Sequence, residues 1–411
     1  MKSNVLDNSA IRNCTGCGIC ASVCGKGAIS IKLDDDGFYR PIVDEEKCVE
    51  CGVCKKSCYK FDLSFKMSDK FVACYAAINK NLYQLSKSSS GGLSRLLMEE
   101  CLARGYKVFG CKYNFATEDA QSVIVSSINS LDDFYGSKYF QSYTVNSFNT
   151  ILKDSSCQKY AIFGTPCQIY AFSQTKKYLR DRDNYFLVDI FCHGCPSLYL
   201  WKSYLASIKK TYDKVHFDNI SFRTKKYGWH EYCIDFQVDN KNIYSKKGND
   251  PFFDIFFGAD IMNEACYNCK ARSSMAYTDI RIGDFWGPKY ELNDKGVSAV
   301  VVSSRLGVDL FNSIKDKLTI EIADFNEIVS AQSYGRTVLY SKTRRNFLLQ
   351  SITDCDDLFH LHQQYIKLLP LKVRFKKYLK NVVKHLPQKL YFIIRKTVHI
   401  MCYYKNITKQ N

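Results

Sequence analysis

Apolar and polar positions along the chain fall into three successive textures, each with its own period. In the first, AISIK and FYRPIVD alternate apolar with polar residues on either side of DDDG, which predicts two short strands joined as a hairpin. After Phe71, strand and helix signals take turns. FVACYAAI and KVFGCKY read as strands. Between them Leu93, Leu96, Leu97, Cys101 and Leu102 recur at helical spacing over Gly91 to Arg104. QSVIVSSI, KYAIFG and NYFLVDIF predict further strands, with helices over Thr165 to Lys177 and Pro196 to Lys209 following the second and third. That alternation predicts an α/β domain with a mixed sheet. ISFRT and YCIDFQV open a strand-rich portion, to which TDIRIGDF, SAVVVSS and LTIEIA add. Beyond about Ser341 the pattern turns helical and basic. The expected organisation is a small α+β module over 1–66, the α/β domain over 67–340 and a helical tail over 341–411.

Composition narrows the class. The chain has 411 residues, 46% hydrophobic and 14% aromatic, enough to bury sizeable cores and unlike a disordered chain. MKSNVLDNSAIRN holds no apolar signal core, and twenty cysteines behind such a start predict a cytoplasmic, reducing location. No apolar run approaches the length of a membrane span. The net charge of +17 looks like a nucleic-acid signal until it is located. Leu361 to Asn411 carries twelve Lys or Arg and no Asp or Glu, leaving only +5 for the rest. With no reading domain beside that charge, nucleic acid is not an expected partner.

The cysteine spacing then supplies the chemistry. Cys14, Cys17, Cys20 and Cys24 form a C-x2-C-x2-C-x3-C run, and Cys48, Cys51, Cys54 and Cys58 repeat it 34 residues later. Three thiolates at successive spacings of three wrap one face of an iron–sulfur cube, and the fourth points to the other cube. Cys14, Cys17, Cys20 and Cys58 are therefore expected to hold one [4Fe–4S] cluster, and Cys48, Cys51, Cys54 and Cys24 the second. Zinc takes four ligands in a tetrahedron and has no use for two identical four-member runs. Disulfides between cysteines this close would be strained. The segment resembles bacterial two-cluster ferredoxins, which makes the first module ferredoxin-like, with one departure: Gly25 and Tyr59 stand where that family has proline. Oxygen-labile clusters suit an anaerobic or microaerobic cell.

The large domain carries scattered motifs. KYAIFG ends in Gly164-Thr165-Pro166-Cys167-Gln168, where Thr165 suits an N-cap and Pro166 the first helical position. Backbone N–H groups at such a helix start attract anions, and the same position is expected to lower the Cys167 thiol pKa. Phe191-Cys192-His193-Gly194-Cys195 closes the next strand, and Cys266-Tyr267-Asn268-Cys269 supplies a C-x2-C pair. Cys167, Cys192, Cys266 and Cys269 make a four-thiolate set for a third [4Fe–4S] cluster. Zinc or free thiols are the other readings, and Cys195 competes with Cys192. Lys87-Ser88-Ser89-Ser90-Gly91-Gly92 precedes a helix and allows close backbone approach to a phosphate, although Ser-Gly runs are commonly plain loops. Trp286, in Gly283-Asp284-Phe285-Trp286-Gly287, is either an aromatic platform for a flavin or core. Lys225-Lys226-Tyr227-Gly228-Trp229 either presents cations or forms a solvated turn. His193 and His230 are expected to be structural.

In this order, SSSGG at 88–92, GTPCQ at 164–168, FCHG at 191–194, FRTKKYGW at 222–229, CYNCK at 266–270 and IGDFWG at 282–287 resemble one family: the beta subunit of coenzyme F-420-reducing hydrogenase and formate dehydrogenase. Members bind FAD and iron–sulfur clusters, and the best known exchange hydride with the deazaflavin coenzyme. Others act on a chlorophyll precursor or sulfite, and some lie in bacterial polysaccharide gene clusters. The resemblance implies that Ser89, Ser90, Gly91, Gly92, Thr165 and Lys226 line a flavin site, with the third cluster near it. It leaves Cys195 outside the ligand set and names no hydride acceptor.

The expected function is a FAD- and [4Fe–4S]-dependent oxidoreductase converting one-electron to two-electron chemistry. Its partners would be a redox protein such as ferredoxin and a small-molecule hydride donor or acceptor. The alternatives are an electron-transfer subunit without its own substrate and a zinc-stapled interaction protein. The tail LKVRFKKYLKNVVKHLPQKLYFIIRKTVHIMCYY mixes basic and apolar residues, with Pro387 dividing two short helices. It is expected to touch the inner membrane surface peripherally, or else to pack on the body with a solvated basic face.

Overall fold

Ile29 and Ile31 alternate with Ser30 and Lys32, and their buried faces pair with Tyr39, Pro41 and Val43. β1 (Ile29–Leu33) and β2 (Tyr39–Val43) thus close as the expected antiparallel hairpin. The structure is a computed structural model that describes residues 4–6, 13–62, 65, 67–179, 182–213, 216–246 and 250–384. Short helices, Ile19–Ser22 and Val53–Ser57, start inside the two cysteine runs.

The large domain follows as β3 (Ala73–Asn79), β4 (Tyr106–Asn114), β5 (Asp119–Val125), β6 (Ser142–Tyr143), β7 (Lys159–Gly164), β8 (Tyr185–Ile190), β9 (Asn219–Thr224), β10 (Cys233–Val238), β11 (Lys241–Lys246), β12 (Ile280–Asp284), β13 (Ser298–Val302) and β14 (Leu318–Ile322). Nine strands form one mixed sheet in the order β14-β3-β13-β12-β8-β7-β4-β5-β6. Its centre, β12-β8-β7-β4, is parallel, and antiparallel pairs flank it. Parallel strands covered on both faces read as continuous apolar runs, and β7 and β8 are buried almost throughout, as is the antiparallel β13. The helices Leu93–Ala103, Pro166–Lys176 and Leu198–Tyr212 fall where the 3.6-residue period placed them, within a few residues.

Parallel strands send their carboxyl ends to one edge of a sheet, the usual place for ligands in open α/β folds. Here that edge delivers Thr165 and Cys167 after β7, Cys192 after β8 and Asp284 at the end of β12.

The first module packs directly on the large domain: Cys17, Ile19 and Tyr59 share an apolar cluster with Phe109, Phe148, Tyr170 and Phe172. Gln141 and Thr144 donate to the carbonyls of Thr15 and Cys17, each at 2.7 Å. The helices Lys342–Ile352 and Leu358–Lys367, expected as part of a basic tail, instead bury Leu348, Ile352, Leu358, Leu361 and Tyr365 against Trp201, Tyr204 and Phe252. Among the described residues, the helix Leu371–Lys384 keeps over Leu371 to Leu379 the solvated character expected of the tail. Pro387 and the second tail helix lie outside the described residues. Among the described residues no helix is long and apolar enough to cross a membrane.

Candidate iron–sulfur and cofactor site

The 34-residue repeat is a repeat of backbone as well as of cysteines. Gly16 (φ 69°) and Gly18 (φ 79°) in the first run match Glu50 (φ 49°) and Gly52 (φ 72°) in the second. Left-handed residues in these positions turn successive N–H groups inward, a concavity that suits an anionic sulfur cluster. Glu50 adopts this conformation without glycine's freedom, a local cost that the repeat imposes. The Gly16 and Ala28 amides already donate to the sulfurs of Cys14 and Cys24, each at 3.3 Å.

The thiols of the two runs act on one another. Burial, then Cys58 and Cys14, push the Cys17 thiol well up. Burial, then Cys17, Cys14 and Cys58, do the same to Cys20. Burial raises Cys58 to about 11, with Cys14 adding to it. Cys54 is raised by burial, with Cys24 and Cys51 as its cysteine neighbours. The fourth cysteine of each run therefore stands with the other run. Cys48 lies in the same apolar cluster as Cys24 and Cys54, and Asn4 reaches its sulfur at 3.7 Å.

The scattered set also converges. Cys192 is raised to about 12 by burial and then by Cys167 and Cys269. Burial, then Cys192, Cys269 and Cys167, raise Cys266. Cys195 stands in the same group, closest to Cys266. Cys167 departs from expectation: its pKa is raised to about 11, because burial and the neighbouring Cys269 outweigh the helix start. Raised thiols give up protons when metal binds, and desolvated thiolates gain most from it. Among the described residues, no three His, Cys, Asp or Glu side chains converge on a single ion position. A cube would spread four thiolates over separate iron corners and not gather them on one ion.

The first and third sets abut. Cys167 is among the groups acting on Cys17, and Tyr59 fills the space between. Tyr59 is 6% exposed, its ring lies 4.8 Å from Tyr170, and Cys167 and Cys269 pack against the same cluster. Its hydroxyl faces the Thr15 side chain without closing a hydrogen bond of ordinary geometry.

The third set borders one cavity of about 1710 Å³. Thr15, Ser89, Ser90, Gly92, Thr165, the cysteines of the third set, Asp284 and Trp286 line it. Gly91 works from behind: a Cβ there would lie 2.2 Å from the Ala77 carbonyl oxygen and 2.5 Å from the Ser298 nitrogen, so the loop presses directly on the sheet. Gly92 caps the helix Leu93–Ala103 at φ 81°. Thr165 caps the second helix facing the cavity, and its N–H donates to the Gln168 side chain at 3.0 Å.

Lys226 does not join them. It is exposed on the turn after β9, with its ammonium 5.8 Å from the Tyr244 ring centre. Its neighbour Lys225 turns inward and donates to the carbonyls of Leu85 at 2.9 Å, Ser90 at 2.6 Å and Lys295 at 2.5 Å, holding the serine loop. Burial pulls Lys225 down to about 7. Trp286 lines the cavity with one face taken by Trp229, 4.6 Å away and 11° from parallel. Arg223 lies 5.3 Å from the Trp286 ring and pairs with Asp284. His193 lines the wall, bonded to Ser333 at 2.9 Å, and burial with Arg272 lowers it to about 4.

A buried ion pair missed at the sequence level frames the third set. Arg281 on β12 donates to Asp189 on β8 at 2.8 Å and to the Arg272 carbonyl at 2.8 Å. Arg272 in turn donates to the His193 carbonyl at 2.9 Å, tying the loop after Cys269 to the segment after Cys192. The signal was present: Asp189 interrupts the apolar run of β8, and Arg281 stands between the isoleucines of β12.

Two nested cysteine runs beside a third thiol set and a large cavity define an iron–sulfur electron-transfer protein. Residues 13–60 match the 4Fe-4S dicluster domain. Residues 157–328 match the C terminus of the coenzyme F420 hydrogenase/dehydrogenase beta subunit, so that portion of the chain is similar to that family's C-terminal domain. A chain of the F420-reducing [NiFe] hydrogenase complex from Methanosarcina barkeri is similar at 16% identity and a TM-score of 0.46, over 73% of this chain and 92% of that one. No curated protein matches.

Proposed function

We propose that the chain is an iron–sulfur flavoprotein oxidoreductase with three [4Fe–4S] clusters and one FAD. The supporting observation is that one cavity is bordered by the serine–glycine loop, by the Thr165 helix start and by Cys167, Cys192, Cys266 and Cys269. At about 1710 Å³ it exceeds the roughly 300–1,000 Å³ of a single-ligand site. An extended dinucleotide and a second reactant fit such a space. When bound, the clusters supply single electrons at low potential and FAD exchanges electron pairs as hydride.

In this reading Cys14, Cys17, Cys20 and Cys58 seat one cluster, and Cys24, Cys48, Cys51 and Cys54 a second. The third set lies between these and the cavity. Ser89, Ser90, Gly92 and Thr165 bring N–H groups and two positive helix starts to the anionic part of the dinucleotide. Gly91 lets the loop seat, and Lys225 holds it. Tyr59 places a buried hydroxyl donor among Cys17, Cys167 and Cys269. The two-electron partner is the deazaflavin coenzyme F-420 or another small or polysaccharide-pathway substrate.

Electrons would arrive at the second run, where Cys51, Val49 (61% exposed) and Val53 (43% exposed) reach the surface. A ferredoxin-type partner fits that apolar patch. The same patch favours the alternative of an electron-transfer subunit with no substrate of its own. Titration of the anaerobically prepared full chain with FAD tests the primary reading. Binding near one equivalent, with dithionite bleaching both flavin and cluster absorbance, is expected. Absence of bindable FAD removes it and leaves the subunit reading.

A further inference from the structure

The helix Leu371–Lys384 sits on the body the wrong way round for a soluble protein. Lys377 pairs with Asp254 at 2.9 Å and so faces inward, while Lys372, Arg374 and Lys376 stay exposed. At about 100° per residue, Phe375 and Leu379 stand about 160° around the helix from Lys377, and Leu371 about 120°. These apolar side chains are left in solvent: Leu371 is 77% exposed, Phe375 63% and Leu379 44%. The preceding helix Leu358–Lys367 does the opposite and buries Leu358, Leu361 and Tyr365.

We propose that this exposed stripe, flanked by Lys372, Arg374 and Lys376, docks the protein in the headgroup region of an anionic lipid bilayer. Apolar residues entering the acyl boundary, with cations beside them for anionic headgroups, are what interfacial helices present. Charge selects the occupant. From Leu361 to Asn411 there are twelve basic residues and no acidic one. A second copy, or residues 385–411 of the same chain, would bring like charge against like charge. Nucleic acid would use the lysines and leave the stripe unburied.

The docking face also borders the cavity, since Arg374, Lys376, Lys377 and the stripe's own Leu379 lie on its wall. Docking therefore brings the rim of the cavity within about one helix diameter, roughly 10–12 Å, of the lipid surface.

Flotation of the full-length, cluster-loaded chain with phosphatidylcholine vesicles, with and without phosphatidylglycerol, tests this. Binding to the anionic vesicles alone, weakening as salt rises, is the expected result. The double variant Leu371→Ser with Phe375→Ser keeps every charge, and its binding should fall about tenfold or more. A Phe375→Trp variant should show emission quenched by brominated lipid. Unchanged flotation of the double variant overturns the proposal, as does unquenched emission from the Phe375→Trp variant on brominated vesicles. So does absence of flotation with anionic vesicles, which would mean that another surface covers the stripe.

Discussion

The eight cysteines of residues 14–58 and the four of the large domain reach similar clustering by opposite routes. The first set is local: spacing and left-handed backbone place the sulfurs, and the same φ pattern appears twice. The second is assembled by the fold, from the ends of two parallel strands and a loop, and is held by Arg281, Asp189 and Arg272. A site written in consecutive residues survives remote changes. One built at a sheet edge depends on the ion pair behind it.

Substitutions should separate the two. Arg281→Met strands a buried carboxylate and should cost about 3–5 kcal/mol in urea unfolding. Its third cluster should be lost before the other two, followed by electron paramagnetic resonance. Adding Asp189→Leu should recover much of that stability, since the charge left behind, not the missing contact, carries most of the penalty.

Cys192→Ser should remove about four irons and leave the N-terminal spectrum intact, while Cys54→Ser should do the reverse. Metal analysis of each variant checks this, and loss of all iron from either would break the separation.

At the cavity, Lys225→Met should weaken FAD binding about tenfold through the freed serine loop, whereas Lys226→Met should change it less than about twofold. Calorimetry distinguishes them, and equal effects would place the cofactor elsewhere. A last test concerns pH. The folded Lys225 value of about 7 lies below the ordinary 10.5, so the unfolded chain binds the proton more tightly. Stability should therefore rise with pH between about 7 and 10.5, and Lys225→Met should flatten that slope.

The same contrast explains what the sequence disclosed. The hairpin, the strands of the parallel centre and the three main helices followed from apolar period, because each buries one continuous pattern. The β11 strand KNIYSK did not, being polar, although Asp239 and Asn240, both left-handed at φ 46° and 60°, mark its tight turn. The N-terminal cysteines declared their grouping through spacing alone. For the scattered set, spacing named the cysteines but not their supports, because Asp189 and Arg281 meet only through strand order. The choice between Lys225 and Lys226 turned on which way a turn directs two adjacent side chains. Cys167 departed from the helix-start argument because burial among other thiols dominates there.

Iron and acid-labile sulfide, measured together on anaerobically reconstituted full-length protein, test the central claim most directly. About twelve of each per chain are predicted for three cubes. About eight would confine clusters to the N-terminal runs, and zinc with little sulfide would contradict the account altogether.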